Sequence, residues 1–181
     1  HTMREMAEMD VEIVEEEEKT RDMWGNVKIK INYQGIKRQA IQDIAQAESN
    51  ERKGGLIHSF GDGATCTAEN RSGWGIAVIH DGKVMKTKNG RLPGKQSNDA
   101  AETKAILQGL LETNPRDDMI VYCDNQGCID IWNRVEKLQE NKETNRNNKA
   151  MWNRIGEIRK HREEKGARTS IEWVHSHVDD E

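Results

Sequence analysis

From residue 56 onward the chain alternates short apolar runs with amphipathic stretches. Leu56 to Phe60 has the apolar, strand-like pattern that leads into Asp62, and Gly75 to Ile79 repeats it. His80-Asp81-Gly82-Lys83 carries the Asp-Gly signal of a tight hairpin, so Lys83 to Lys88 is expected to return as a third strand. After a loop around Pro93, Asn98 can cap a helix running to about Glu112, with Ala101, Ala105, Leu107 and Leu111 among its apolar positions. Met119 to Cys123 predicts a short strand, Gln126 to Val135 a helix, Ala150 to Lys165 a longer helix stopped by Gly166, and Ser170 to Val174 a last strand. The order is β-β-β-α-β-α-α-β, an α/β fold with a five-stranded mixed sheet.

The first 50 residues read differently. Residues 1–23 are acidic, with Glu15 to Glu18 consecutive, and are expected to form a frayed arm or one loosely docked helix. Residues 27–33 alternate apolar and polar as a strand does, and Ile36 to Ala47 has helical spacing. Residues 48–55 are polar and end in Gly54-Gly55, a linker signal. The expected organisation is therefore an extension over residues 1–50, of unknown role, and one domain over residues 55–181.

Composition supports one modest core. Of 181 residues, 33% are charged and only 34% hydrophobic, which is too little apolar material for two cores. No run approaches membrane-spanning length and no signal peptide is visible, so no membrane partner is expected. Cys66, Cys123 and Cys128 cannot all pair, which suggests a reduced intracellular setting, cytoplasmic or nuclear. The net charge of −4 hides an asymmetry. Residues 132–168 hold eleven Lys/Arg against six Glu, a basic stretch suited to phosphates or, more blandly, a solvated helix face.

Three carboxylates stand out against this frame: Asp62 in Gly61-Asp62-Gly63-Ala64, Glu102 in the first turns of a helix, and Asp124 just past a strand. Each alone has an ordinary explanation, as a turn residue, a dipole-favoured helix glutamate or a helix cap. Strand tips and a helix start can converge in an α/β fold, and three carboxylates crowded there would repel unless a cation neutralised them. That is the specification of a magnesium site for phosphoryl chemistry. His177, just beyond the last strand, could move protons beside such a site. His175-Ser176-His177 without a further nitrogen or sulfur ligand in view is a weak zinc signal.

The segments Gly61-Asp62-Gly63-Ala64, Asn98 to Glu102, Tyr122-Cys123-Asp124-Asn125-Gln126 and Trp173-Val174-His175-Ser176-His177 resemble the type 1 ribonuclease H family in order, spacing and element type, over about residues 56–181. The resemblance implies an RNase H-like fold and a metal-dependent endonuclease that cuts the RNA strand of RNA–DNA hybrids with two Mg²⁺ ions, Mn²⁺ serving as a substitute. It also implies that Asp62, Glu102 and Asp124 are the metal ligands and catalytic carboxylates. His177 corresponds to a mobile catalytic histidine linked to product release. Gly63, Asn98 and Gln126 match positions that contact the hybrid. A reverse transcriptase of a retroelement is the expected parent, with other domains of a larger protein as partners.

The chain departs from the family pattern in three places. Ala64 stands where Ser is frequent, and Thr65-Cys66-Thr67-Ala68 does not reproduce the polar hybrid-reading residues. The sequence ends four residues after His177, so the family's terminal helix and fourth carboxylate are expected to be missing, unless Asp179, Asp180 or Glu181 replaces the latter. Lys137, Lys142, Arg146 and Lys149 fall where some relatives carry a basic hybrid-binding protrusion, diluted here by Glu136, Glu140 and Glu143. Residues 27–47 are the expected cover for the sheet face that the terminal helix would otherwise occupy. The alternative reading is a truncated or inactive RNase H-like module that binds nucleic acid or protein within a larger polyprotein. A transposase or integrase core shares the fold but usually ends its triad with a late helical Glu.

Overall fold

The computed structural model describes residues 11–14, 17–21, 23–31, 33–69, 71–92, 97–134 and 148–175. Strand β4 (Ile57–Cys66) is central, and the sheet order is β6-β5-β4-β7-β8. Here β5 is Arg71–His80, β6 Lys83–Arg91, β7 Met119–Cys123 and β8 Thr169–Trp173. β4, β5 and β6 form an antiparallel meander, whereas β7 pairs parallel to β4 and β8 parallel to β7. The expected hairpin is present: Asp81 and Gly82 both take positive φ, 53° and 73°, the twist a two-residue turn needs. The mixed five-stranded sheet is as the sequence predicts, but β4 and β5 are each ten residues long, well beyond the apolar cores that announce them.

Four α-helices accompany the strands among the described residues: α1 (Tyr33–Glu48), α2 (Asn98–Leu111), α3 (Gln126–Trp132) and α4 (Lys149–Glu164). α2 is buried on nearly all sides because it lies between the sheet and α4. Ile106, Leu107 and Leu110 meet Ile57, Ile76 and Val78 of the sheet and Trp152, Ile155 and Ile158 of α4 in one core. Its N-cap is Ser97, whose hydroxyl accepts from the Ala100 N–H at 3.1 Å, so Asn98 is the first helical residue rather than the cap. α3 stops at Trp132, three residues before the expected end.

α1 packs on α4 and α2, in the helical layer. A buried ion pair fastens it: Arg154 donates to both Asp43 oxygens, at 2.9 and 2.8 Å. His161 and Arg116 both bond the Glu48 carboxylate and hold it below its ordinary value. Of the residues 27–47 expected to cover the open sheet face, α1 does not, because it packs on α4 and α2, the helices that lie on the other face. The acidic arm differs too: Val11–Val14 (β1) and Glu17–Arg21 (β2) are antiparallel strands, joined by Val27–Ile31 (β3) in a separate three-stranded sheet. Helical spacing is absent from residues 11–21, and strand pairing gives their backbone the partners that an isolated acidic helix would have lacked.

Two buried polar anchors set the path into the sheet. Asp117 accepts from the backbone N–H groups of Lys53 and Gly54, at 2.8 and 2.9 Å, and so fixes the chain just before β4. Arg162 is fully buried; it donates to Thr169 Oγ1 at 2.7 Å, to the Asn114 carbonyl at 3.0 Å and to the Asp117 carbonyl. Burial lowers its guanidinium to about 10, but its donors are satisfied and it stays charged at neutral pH.

Candidate metal centre

The sheet register places two of the predicted carboxylates just beyond the same point, although only Asp124 joins Glu102 in one group of ligand atoms. Parallel pairing of β4 with β7 ends at Phe60↔Tyr122. Asp62 and Asp124 each lie two residues further on, Asp62 still within β4 and Asp124 just past the end of β7. Asp62 sits inside β4, opposite Gly75, because β4 runs on to Cys66 while β7 stops at Cys123. The predicted strand end is thus the end of the β4–β7 pairing, and Asp62 stands exposed at that opening.

Glu102 arrives from the other side, and small residues make this possible. A Cβ on Gly63 would lie 2.6 Å from Ala101 Cβ, Ala101 C and Glu102 N; one on Gly61 would lie 2.9 Å from Ala105 Cβ. The backbone of β4 therefore rests almost directly on α2. At that contact the Gly63 N–H donates to Glu102 Oε1 at 3.0 Å. Glu102 is 5% exposed, and ligand atoms of Glu102, Cys123 and Asp124 lie within 4.8 Å of one another.

The electrostatics follow from this crowding. Burial first, then the charges of Asp124, Cys123 and Asp62, push the Glu102 carboxyl up to about 9 against the lowering effect of the Gly63 hydrogen bond. A proton is what Glu102 holds when no cation is near. A divalent ion among these oxygens would supply the missing positive charge, so the donor set fits a hard cation.

The remaining predicted positions fall around this centre. Gly63 supplies the N–H already described. Asn98 is exposed one turn before Glu102, and Gln126 is exposed at the start of α3, donating to Asp130 at 3.1 Å. Between them Asn125 donates to Asp99 at 3.0 Å and accepts from Cys128 N at 3.1 Å, which ties the first turns of α2 and α3 together. His177, Asp179, Asp180 and Glu181 lie outside the described residues; β8 reaches the centre, since Val174 N donates to the Cys123 carbonyl at 2.9 Å. Lys137, Lys142 and Arg146 also lie outside them. Lys149 is only 2% exposed, in the first turn of α4, so this member of the expected basic protrusion is a buried residue. Apolar neighbours such as Trp152 put that turn in the core, which the charge pattern did not reveal.

Sequence reasoning passed over Cys123, which sits among the carboxylates, and the stack of Phe60 on Tyr122, with ring centroids 4.2 Å apart. His58 Nδ1 shares a hydrogen bond of 2.8 Å with the Tyr122 hydroxyl. The two-residue spacing of His58, Phe60 and Asp62 carried part of the signal, since the three lie on one face of β4.

A five-stranded mixed sheet with helices on it, and acidic groups where β4 and β7 part, defines the ribonuclease H-like class of α/β folds. The chain belongs to the RNase H family, whose model matches residues 56–181. Among solved structures, the chain is similar to LC11-RNase H1 in complex with an RNA/DNA hybrid, at 15% identity over 66% of this chain and 86% of that one, with a TM-score of 0.50. RNase H1 from the halophilic archaeon Halobacterium salinarum NRC-1 aligns at 17% identity over 67% of this chain and 86% of that one, with a TM-score of 0.49. No curated protein matches the chain. The family is one of hydrolases that generally use divalent metals, and the acidic group around Glu102 is consistent with that. No helix among the described residues is long and apolar enough to cross a membrane.

Proposed function

We propose that the protein is a metal-dependent endonuclease that cleaves the RNA strand of RNA–DNA hybrids. The observation that carries this reading is the convergence of Glu102 and Asp124 within one ligand group, with Asp62 close enough to raise the Glu102 carboxyl. Asp62, Glu102 and Asp124 are the residues that would hold Mg²⁺, as a pair of ions, or Mn²⁺ in its place. When bound, such ions lower the pKa of an attacking water and stabilise the leaving 3′-oxygen.

The chain's own residues do the positioning. The Gly63 N–H fixes one Glu102 oxygen and leaves the other for a ligand or a substrate hydroxyl. Asp62 faces solvent from the central strand, paired with β5 at its own position and two residues past the last β7 pair, a firm mount for a group that must meet a phosphate. Asn98 and Gln126 offer neutral amide groups on either side of the centre. Amides suit the sugar edges and 2′-hydroxyls of a shallow minor groove, which would read hybrid shape rather than sequence. His177 would serve the proton traffic of product release. The family match begins at residue 56, and we take residues 55–181 as the catalytic domain, with α1 of the extension clamped on it through Asp43 and Arg154.

The test is a substrate panel in Mg²⁺ or Mn²⁺: labelled RNA–DNA hybrid beside single-stranded RNA, duplex RNA and duplex DNA. Cutting confined to the RNA of the hybrid is expected. Binding of the hybrid with no cutting in either metal would favour a non-cleaving binding module instead.

A further inference from the structure

Asp62 lies on the face of β4 turned away from α2, because its neighbours Gly61 and Gly63 are the residues that rest on that helix. Residues paired directly across a sheet share a face, so the register carries this face sideways. Asp62 pairs with Gly75 of β5, and Gly75 pairs with Asn89 of β6. The next row toward the same end of the sheet is Ala64, Gly73 and Arg91. Asn89 and Arg91 are both exposed, on an edge strand. Two strand spacings, about 10 Å, separate that strand from β4. Among the described residues no carboxylate pairs with Arg91. The neighbouring cations differ: Arg71 of β5 pairs with Glu69, and Lys86 and Lys88 of β6 pair with Glu112.

We propose that Arg91, assisted by Asn89, anchors a phosphodiester of the bound nucleic acid that flanks the one at the metal centre. A nucleic-acid strand that brings one phosphate to Asp62 has others within reach of a long side chain about 10 Å away. The guanidinium offers a fork of N–H donors that matches two phosphate oxygens, and the Asn89 amide adds a neutral donor beside it. The pull of Arg91 also offsets the repulsion between phosphates and the carboxylates of the centre. Such a contact fixes register and carries no sequence preference. Arg91 is thus a positioning residue. Its place beside the cut rests on the proposed nuclease reading; the phosphate contact itself is read by binding.

The experiment follows binding of a short labelled RNA–DNA hybrid by fluorescence anisotropy over a series of salt concentrations. The full chain carries Asp124→Asn so that the hybrid stays whole. In that background Arg91→Ala is expected to weaken binding about three- to tenfold and to lower the slope of log affinity against log salt by about one, the share of one phosphate contact. Arg91→Lys keeps a cation there and should restore the slope. Asn89→Ala should weaken binding at an unchanged slope, since the amide is neutral. Lys83→Ala, an exposed cation at the other end of β6, should change neither. A methylphosphonate, which removes one phosphate charge, is then placed in turn along each strand of the hybrid. One position should cost as much as Arg91→Ala and should cost nothing further in the chain that already carries Arg91→Ala. An unchanged slope in Arg91→Ala, an equal fall in Lys83→Ala, or equal costs at every neutralised phosphate would overturn the proposal. The phosphate series alters only the substrate, so a misfolded variant does not blunt the test. A hybrid that the unaltered chain binds but leaves uncut in Mg²⁺ and Mn²⁺ would count against the nuclease reading alone.

Discussion

The Gly63 N–H reaches Glu102 Oε1 at 3.0 Å only because Gly63 has no side chain, since a Cβ there would lie 2.6 Å from Ala101 and from Glu102 N. One glycine thus sets both the packing of α2 on β4 and the position of a site carboxylate. Gly63→Ala is expected to force the helix off the strand, costing about 1–3 kcal/mol as overpacking does. Chemical denaturation should show the lost stability, and Mg²⁺ affinity should fall with it. A variant of unchanged stability would mean that the contact is looser than described.

Glu102 should make the metal-free protein pH-sensitive. Its carboxyl ionises near 4.5 in the unfolded chain and is pushed up to about 9 in the folded one. The folded state therefore binds more protons between these values, so its stability is full below about 4.5 and is progressively lost as pH rises toward about 9. Thermal unfolding in chelator across that window should show the decline, and Mg²⁺ or Glu102→Gln should flatten it. An equal decline in Glu102→Gln would assign the effect elsewhere.

Metal binding at pH 7 should release about one proton per chain, because Glu102 must give up its proton to become a ligand. Titration calorimetry in buffers of different ionisation enthalpy measures this number. Zero release would show that Glu102 is already ionised or not a ligand.

Asp43 and Arg154 form a buried, bidentate pair between α1 and α4. Asp43→Ala removes the carboxylate that the buried guanidinium bonds with two nitrogens and is expected to cost about 3–5 kcal/mol. Denaturant unfolding should remain a single, earlier transition if α1 belongs to the same cooperative unit. An unchanged midpoint would mean that α1 undocks at little cost.

Much of this fold was legible because its signals are local. Asp81-Gly82 names a hairpin by itself, and the apolar run of Met119 to Cys123 fits a buried strand. The carboxylates were legible as residue types on distinct elements. What the pattern could not show depends on neighbours distant in sequence. Ser59, Gly61 and Gly63 look like ordinary strand and turn residues until Ala101, Ala105 and Gly109 of α2 are laid against them. Lys149 looks like a surface cation, and only the packing of α4 buries it. Cys123 carries no metal-binding spacing, and the register of β7 beside α2 is what places it among the carboxylates. Val11–Val14 and Glu17–Arg21 lack an apolar periodicity strong enough to distinguish strand from arm, and the pairing of Glu17–Arg21 with Val11–Val14 on one side and Val27–Ile31 on the other is settled between strands.

Asp124→Asn removes one charge from the centre while keeping its shape. The variant should still bind hybrid and should lose about 100-fold or more in cleavage rate, the scale of several kcal/mol of transition-state stabilisation. Single-turnover rates on a labelled hybrid measure this, and a variant that cuts at the parental rate would remove Asp124 from the site.

The most direct measurement is the end chemistry of the cut RNA strand. Water activated at a carboxylate-bound metal leaves a 5′-phosphate and a 3′-hydroxyl, whereas attack by the RNA's own 2′-hydroxyl leaves a 2′,3′-cyclic phosphate. The account predicts 5′-phosphate and 3′-hydroxyl ends, formed only in a hybrid, only with a divalent cation, and lost in Asp124→Asn. Cyclic phosphate ends, or cutting that persists in chelator, would contradict it.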